Sequence, residues 1–381
     1  MMFSLSRVTP RLAVATAAVL LALGACSSSP SRPEPAALKS FDASLPARQA
    51  WKVQLGAAPA PQSVPVLVGR ELALASAAGR LLVLDTESGS ERWRAELGTP
   101  VSAGVGYDGE TAAVVTQGNE LVALAQGKVQ WRVRLAARAF SAPLVAGRRV
   151  FVLAGDRSVS AYDARNGARL WSQPARGAEP LVLQQPGVLL AVGDTLVVGL
   201  GARLSGLNPG NGTSRWEVPV ASARGVNEIE RLLDLVGPAA RVQGSVCVRA
   251  FQSAVGCVDA QRGALRWTKP ANGAVGLAAD GDWVYGAESN GRVLAWKFDN
   301  GEVQWQSDLL LNRGPSAPLV AGRSIAIGDA QGYVHVLARE DGKLLNRLET
   351  DGSAIVSAPL LAGQNLLALT RKGVLYAWRP E

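Results

Sequence analysis

Apolar and polar residues alternate in this chain in runs too short for helices. Between Ala142 and Gln173, the pieces Ala-Pro-Leu-Val, Arg-Val-Phe-Val-Leu-Ala, Ser-Val-Ser-Ala-Tyr-Asp and Arg-Leu-Trp-Ser are four alternating or β-branched runs. Gly147-Arg148, Gly155-Asp156 and Asn166-Gly167 separate them. A period of two, bounded by turn residues, predicts strands, and four strands per unit predict a propeller blade.

The unit recurs along the chain. Ser141-Ala-Pro-Leu-Val-Ala-Gly-Arg148 is repeated at Ser316 to Arg323, and Ser357 to Gly363 is a near copy. Later in each unit come an Asp, a Gly four residues on and a Trp four further: Asp85/Gly89/Trp93, Asp163/Gly167/Trp171 and Asp259/Gly263/Trp267, with Asn208/Gly212/Trp216 as a variant. Trp131 and Trp305 keep only the glycine, at Gly127 and Gly301, while Trp51 and Asn346 complete the series. Successive landmarks lie 42, 38, 40, 45, 51, 38 and 41 residues apart, the period of blades or helical arrays. The strand content selects blades. In mechanical terms, Gly makes the turn between third and fourth strands, Asp caps it, and Trp packs against the neighbouring blade as core.

The last unit holds three strands, at Ala358 to Leu361, Asn365 to Leu369 and Val374 to Trp378. Its fourth, with the packing tryptophan, is available at the other end of the chain as Gln49-Ala-Trp51-Lys-Val-Gln-Leu55. Pairing the two ends removes two open strand edges. The expected fold is therefore all-β: an eight-bladed β-propeller of four-stranded antiparallel blades over residues 46–381, its ring closed by the N-terminal strand. Seven blades remain the alternative if the weak unit around Trp131 is not a blade.

Residues 1–25 read as a signal peptide, with Arg7 and Arg11 ahead of the apolar run Leu12 to Ala25. Leu23-Gly24-Ala25-Cys26 resembles a bacterial lipobox, which makes Cys26 the lipidated N-terminus. Ser27 follows it, where Asp would mark retention in the inner membrane, so the resemblance implies an outer-membrane address. Several acyl chains on Cys26 would anchor stably without a spanning helix. The Ser-, Pro- and Ala-rich stretch that follows is expected to be a flexible tether, making 26–45 a lipidated linker.

The net charge is +8, and the leader's two arginines supply two of those charges. Lys and Arg never form a run of five, which gives a nucleic-acid groove no support. After lipidation Cys247 and Cys257 remain, an even pair for an oxidising compartment. A hairpin centred on Gln252 would set them opposite each other, a candidate disulfide whose alternative is two buried thiols.

The Asp-x3-Gly-x3-Trp pattern is shared with the quinoprotein alcohol dehydrogenases, propellers that hold pyrroloquinoline quinone and calcium. Their adjacent Cys-Cys pair and Cys-x-x-Cys-His haem site are missing here. The single histidine, His335, sits in the strand Tyr333-Val-His-Val and reads as a packed imidazole. No catalytic residue, metal or cofactor is expected.

The step from Trp216 to Trp267 takes 51 residues, and its excess falls in Ala223 to Val236, where Ile229, Leu232, Leu233 and Leu235 alternate with charges. Asn227-Glu-Ile-Glu-Arg-Leu-Leu-Asp234 resembles the Glu-Ile-Asp-Arg-Leu-x-Asp segment of the BamB family, and Arg176-Gly177 stands where that family has Leu-Arg-Gly. With the lipobox, tether and eight repeats, the resemblance covers nearly the whole chain. It departs at Val236, where the family has a second acid, and at Gln173 and Ala175, where it has leucines.

The resemblance implies a non-catalytic scaffold of the outer-membrane β-barrel assembly machinery, on the periplasmic face of the outer membrane. Its implied partners are the POTRA repeats of BamA and other members of that machinery. Unfolded outer-membrane proteins could also pair with exposed strand edges or loops. Arg176 would be a charged anchor and Asp234 its acidic companion, with Arg231 and Leu232 nearby. A quinoprotein-like enzyme and a propeller that binds some other envelope protein or peptidoglycan are the competing readings.

Overall fold

The four runs of each unit pair in order as an antiparallel sheet. We describe the fold from a computed structural model, which covers residues 33–61, 63–174, 183–222 and 233–381. Among these residues, 32 strands form eight four-stranded sheets. Blades 1 to 7 span 66–96, 106–134, 144–173, 189–219, 235–270, 278–307 and 319–349. The weak unit around Trp131 is a full blade, with Trp131 on the strand Lys128–Arg134. Blade 8 takes three strands from the C-terminal end and its outermost from the N-terminal end: Ala47–Gln54 pairs antiparallel with Val374–Pro380. The expected closure of the ring is the observed one.

The landmark residues explain how the blades pack. Each tryptophan of a fourth strand faces a small or medium residue of the third, such as Ala123 for Trp131, Gly206 for Trp216 and Ala377 for Trp51. A register slip adjoins each of these pairs and swings the indole toward the next blade. There it lies on the turn glycine. Gly212 has φ +75°, and a Cβ on it would stand 2.5 Å from Cε3 of Trp171. The indole N–H groups donate across the seam, Trp131 to the Ala164 carbonyl (2.8 Å), Trp267 to Phe298 (2.8 Å) and Trp305 to Arg339 (2.9 Å). Asn346 takes the same place in blade 7, its Nδ2 donating to the Leu45 carbonyl at 2.6 Å. The aspartates cap the turns: Asp85 Oδ1 accepts the amides of Glu87 and Ser88.

The core lies in the seams. Leu72, Leu74 and Leu84 of blade 1 pack with Leu367, Leu369 and Leu375 of blade 8, and Ala73 and Val83 of blade 1 with Val114 and Val122 of blade 2. Cys247 and Cys257 face each other on adjacent strands of blade 5 and are joined by a disulfide.

The compact unit that holds the ring begins earlier than the expected boundary at residue 46. Residues 36–381 form one compact unit. The Ala36 amide donates to the Leu311 carbonyl at 2.8 Å, Arg313 Nη1 to the Ala36 carbonyl at 2.8 Å, and the Ser44 amide to the Leu345 carbonyl at 3.0 Å. Phe41 lies 5.0 Å beneath the Arg347 guanidinium. Residues 36–45, assigned to the tether by composition, are thus a strap laid on blade 7. Backbone groups and two arginines hold it, and it brings apolar residues of its own, Leu38, Phe41 and Leu45 among them.

Because successive strands are antiparallel, two kinds of loop reach the same end of the ring: the connections between blades and the turns joining second to third strands. They also bond to each other there. The Gly155 amide, in the turn of blade 3, donates to the Arg138 carbonyl in the connection before it (2.6 Å), and the Gln252 amide does so to the Gly273 carbonyl (2.8 Å).

Candidate docking site

Of the residues singled out for partner binding, Asp234 is described, while Arg176, Arg231 and Leu232 lie outside the described residues, as does Cys26. Asp234 stands at the end of the connection between blades 4 and 5, one residue before the strand Leu235–Val242. Leu233 and Leu235, which alternate with charges in this stretch of sequence, are buried, as is Val236. Leu235 and Val236 already belong to the first strand of blade 5.

The Asp234 carboxylate is engaged by the chain's own groups. Arg157, in the turn between second and third strands of blade 3, donates to Oδ1 from Nε (3.3 Å) and Nη2 (3.0 Å). The Leu183 amide, where the blade 3 to blade 4 connection re-enters the described residues, donates to Oδ2 at 2.8 Å. The Asp234 carbonyl accepts the Phe251 amide from the turn of blade 5 at 3.0 Å. With side chains only 10% and 16% exposed, Arg157 and Asp234 form a charge pair largely screened from water. One residue therefore joins blades 3 and 5 and the flanks of the connections on either side of blade 4.

The pair borders a cavity of ≈ 40 Å³ lined also by Phe140, Leu153 and Gly187, far below the several hundred Å³ that cofactors occupy. Beside it, a cleft of ≈ 320 Å³ opens on the same face between Gln117, Asn119, Arg138, Phe140 and Gln184. Phe140 borders both.

Sequence reasoning missed Arg157. It also missed a second pair at this end of the ring, Arg249 and Glu288, which clasps blade 5 to blade 6. Arg249 is fully buried, Nη1 3.2 Å from Glu288 Oε1, and burial pulls its pKa down against the support of that carboxylate. The only sign of it in the sequence was a charge within the apolar strand Ser245–Ala250. His335 is buried and bonds Asp329 through Nε2 at 2.9 Å.

The chain matches the family described as "Outer membrane protein assembly factor BamB" over residues 38–100, 77–307 and 298–380. It belongs to the BamB family. A BamB from Burkholderia pseudomallei is 36% identical over 372 residues, 97% of each chain, and one from Bordetella pertussis is 35% identical over 363 residues, 93% of this chain and 94% of the other. Among solved structures, BamB from Moraxella catarrhalis superposes with a TM-score of 0.78 at 24% identity, covering 87% of this chain and 99% of that one. Quinohemoprotein alcohol dehydrogenase from Comamonas testosteroni superposes with a TM-score of 0.66 at 14% identity, over 87% of this chain and 76% of that one, a likeness of fold.

That second likeness raises the question of a quinone with calcium. Calcium needs several oxygen ligands converging on one point. Among the described residues no three His, Cys, Asp or Glu side chains gather as a metal site, and the three cysteines, Cys26, Cys247 and Cys257, include no adjacent pair. The described residues do not fit the group.

Proposed function

We propose that this BamB-family chain is a non-catalytic scaffold for assembly of outer-membrane proteins, held at the periplasmic face of the outer membrane by lipid on Cys26. Its docking face is the end of the ring that carries the connections on either side of blade 4, and its partner there is the periplasmic POTRA repeats of BamA. The observation that carries this reading is the meeting of the flanks of both connections at Asp234, in a chain related over almost its full length to proteins named as outer membrane protein assembly factors. A rigid ring presenting loops is what a scaffold requires. The cavity that Asp234 itself borders measures ≈ 40 Å³, below the size of a cofactor pocket.

Arg176 is the proposed charged anchor, with Arg231 and Leu232 around it. Truncating an arginine at a desolvated interface centre costs about 2 kcal/mol or more. Calorimetric titration of the protein with BamA from the same organism should show saturable binding that Arg176→Ala weakens by that amount. Unchanged affinity would remove Arg176 from the interface, and no binding to BamA at all would remove the partner. Contact with other members of the machinery and with unfolded barrel precursors belongs to the same reading, and site-specific crosslinking that traps BamA but never a precursor would remove the precursors.

A further inference from the structure

We infer that Arg157 is a positioning residue of the docking face, acting through Asp234, and that Asp234 serves docking as an internal clasp instead of as a contact to the partner. The inference rests on the docking reading above and adds a residue outside both of its connections.

The internal repeat supplies the first argument. In six blades a residue with positive φ closes the turn between second and third strands by donating its amide to the carbonyl three residues back, a bond that Ser253 makes in blade 5 without positive φ. The donors are Gly79, Asn119, Arg157, Gly291, Gly332 and Gly373. All six have positive φ, from +64° to +95°. Glycine adopts that conformation freely, asparagine tolerates it, and a long side chain is strained in it. Blade 3 is the one that places an arginine there, at φ +66°. Long side chains hold positive φ elsewhere in the chain, at Gln126, Arg148, Gln243 and Gln252, so what marks Arg157 is what its side chain reaches.

What it reaches is the second argument. The guanidinium spans from blade 3 to Asp234 at the entry to blade 5, a partner 77 residues away, with two donors on one carboxylate oxygen. The other oxygen is taken by the Leu183 amide. Both oxygens of Asp234 thus point inward. A carboxylate so engaged fixes where the chain leaves one connection and returns from the other, and any effect of Asp234 on a partner passes through that geometry. Arg157 is then required as much as Asp234.

The test uses the full chain and full-length BamA in detergent, with Arg157→Gly, Arg157→Lys, Asp234→Asn and the double variant Arg157→Gly/Asp234→Asn. Arg157→Gly keeps the turn and relieves its strain, so a purely structural role predicts no loss of docking. The clasp predicts roughly tenfold weaker binding for Arg157→Gly and for Asp234→Asn, and a double variant no weaker than the worse single one, because residues in one network do not add. Arg157→Lys, which can still place one donor on Asp234, should recover part of the loss. The Leu183 amide reports the clasp directly: its hydrogen exchange should speed up in Arg157→Gly far more than that of amides within the blade strands. Binding unaffected by Arg157→Gly, or additive losses in the double variant, would overturn the clasp and leave the docking reading standing. An unaltered chain that does not bind BamA would remove both.

Discussion

Two Arg–Asp clusters sit at the same end of the ring and do different work. In blade 7, Asp329 accepts the amides of Gln331 and Tyr333 at Oδ1, both at 2.9 Å, and Arg313 Nε (2.8 Å) with His335 Nε2 (2.9 Å) at Oδ2. Every donor comes from blade 7 or the connection entering it, and Asp329 is fully buried. At the entry to blade 5, Asp234 takes its donors from residues 77 and 51 positions back along the chain and keeps a side-chain exposure of 16%. The first cluster is a staple within one blade, saturated and dry. The second ties separate blades through a single carboxylate at the edge of water. Where the chain closes a charge network locally, the network holds a blade; where it closes over distance, it holds a surface.

The largest expected effect separates the two outright. Asp329→Ala strands the Arg313 guanidinium, 4% exposed, and should cost about 3–5 kcal/mol of stability, as removal of one partner of a buried ion pair does. Urea unfolding followed by tryptophan fluorescence measures it. Asp234→Ala, with its pair nearer water, should cost about 1–2 kcal/mol in the same experiment while weakening docking far more. Equal stability losses from the two would break the comparison.

Much of this protein is legible in its sequence, for a physical reason. The blade pattern depends on contacts that recur every turn of the ring: Asp85 caps its own turn, Gly212 leaves room for Trp171, and Asn346 takes over a donor's place from tryptophan. Repetition makes such local rules visible. The clasp is not repeated. Arg157 stands out only after the turns of six blades are superposed by their hydrogen bonds, and its partner is 77 residues away. Likewise the strap over 36–45 was hidden because its binding arginines come from elsewhere, Arg313 from the connection entering blade 7 and Arg347 from blade 7, while the strap offers them carbonyls and Phe41.

The staple also carries a pH signature that the clasp lacks. Burial pushes the pKa of His335 below its ordinary 6.5, and the Asp329 carboxylate only partly offsets it. The folded protein therefore keeps a neutral imidazole with its proton on Nε2, as the bond to a carboxylate requires. A depressed folded pKa means that the stabilisation is complete above the unfolded value and is lost as pH falls, because the unfolded chain takes up the proton first. Stability should decline from about pH 7 toward pH 5, by at most about 1.4 kcal/mol per pH unit for one proton. Asp329 adds to this at lower pH: burial opposes its charge, yet His335, the Tyr333 amide and Arg313 together hold its carboxyl below the ordinary 3.8. Its contribution is lost only as pH falls below that value. Since the chain has one histidine, His335→Gln should flatten the decline between about pH 7 and pH 5 and leave the acid limb in place. A slope that survives the substitution would place the titrating group elsewhere.

The smallest effect tests whether the two regions are independent. Phe41 meets Arg347 through the face of its ring at 5.0 Å, and Arg347 Nη2 donates to the Lys39 carbonyl at 3.2 Å. Phe41→Ala removes a partly exposed cation–π contact and should cost about 0.5–1 kcal/mol, too little to unfold blade 7. Its consequence should stay with the strap: the amides of Ala36 and Ser44, bonded to the carbonyls of Leu311 and Leu345, should exchange faster with solvent. The Leu183 amide, held by Asp234, should not respond, because sites without shared partners act additively. Faster exchange at Leu183 would mean that staple and clasp communicate through the ring, and that the strap helps set the docking face.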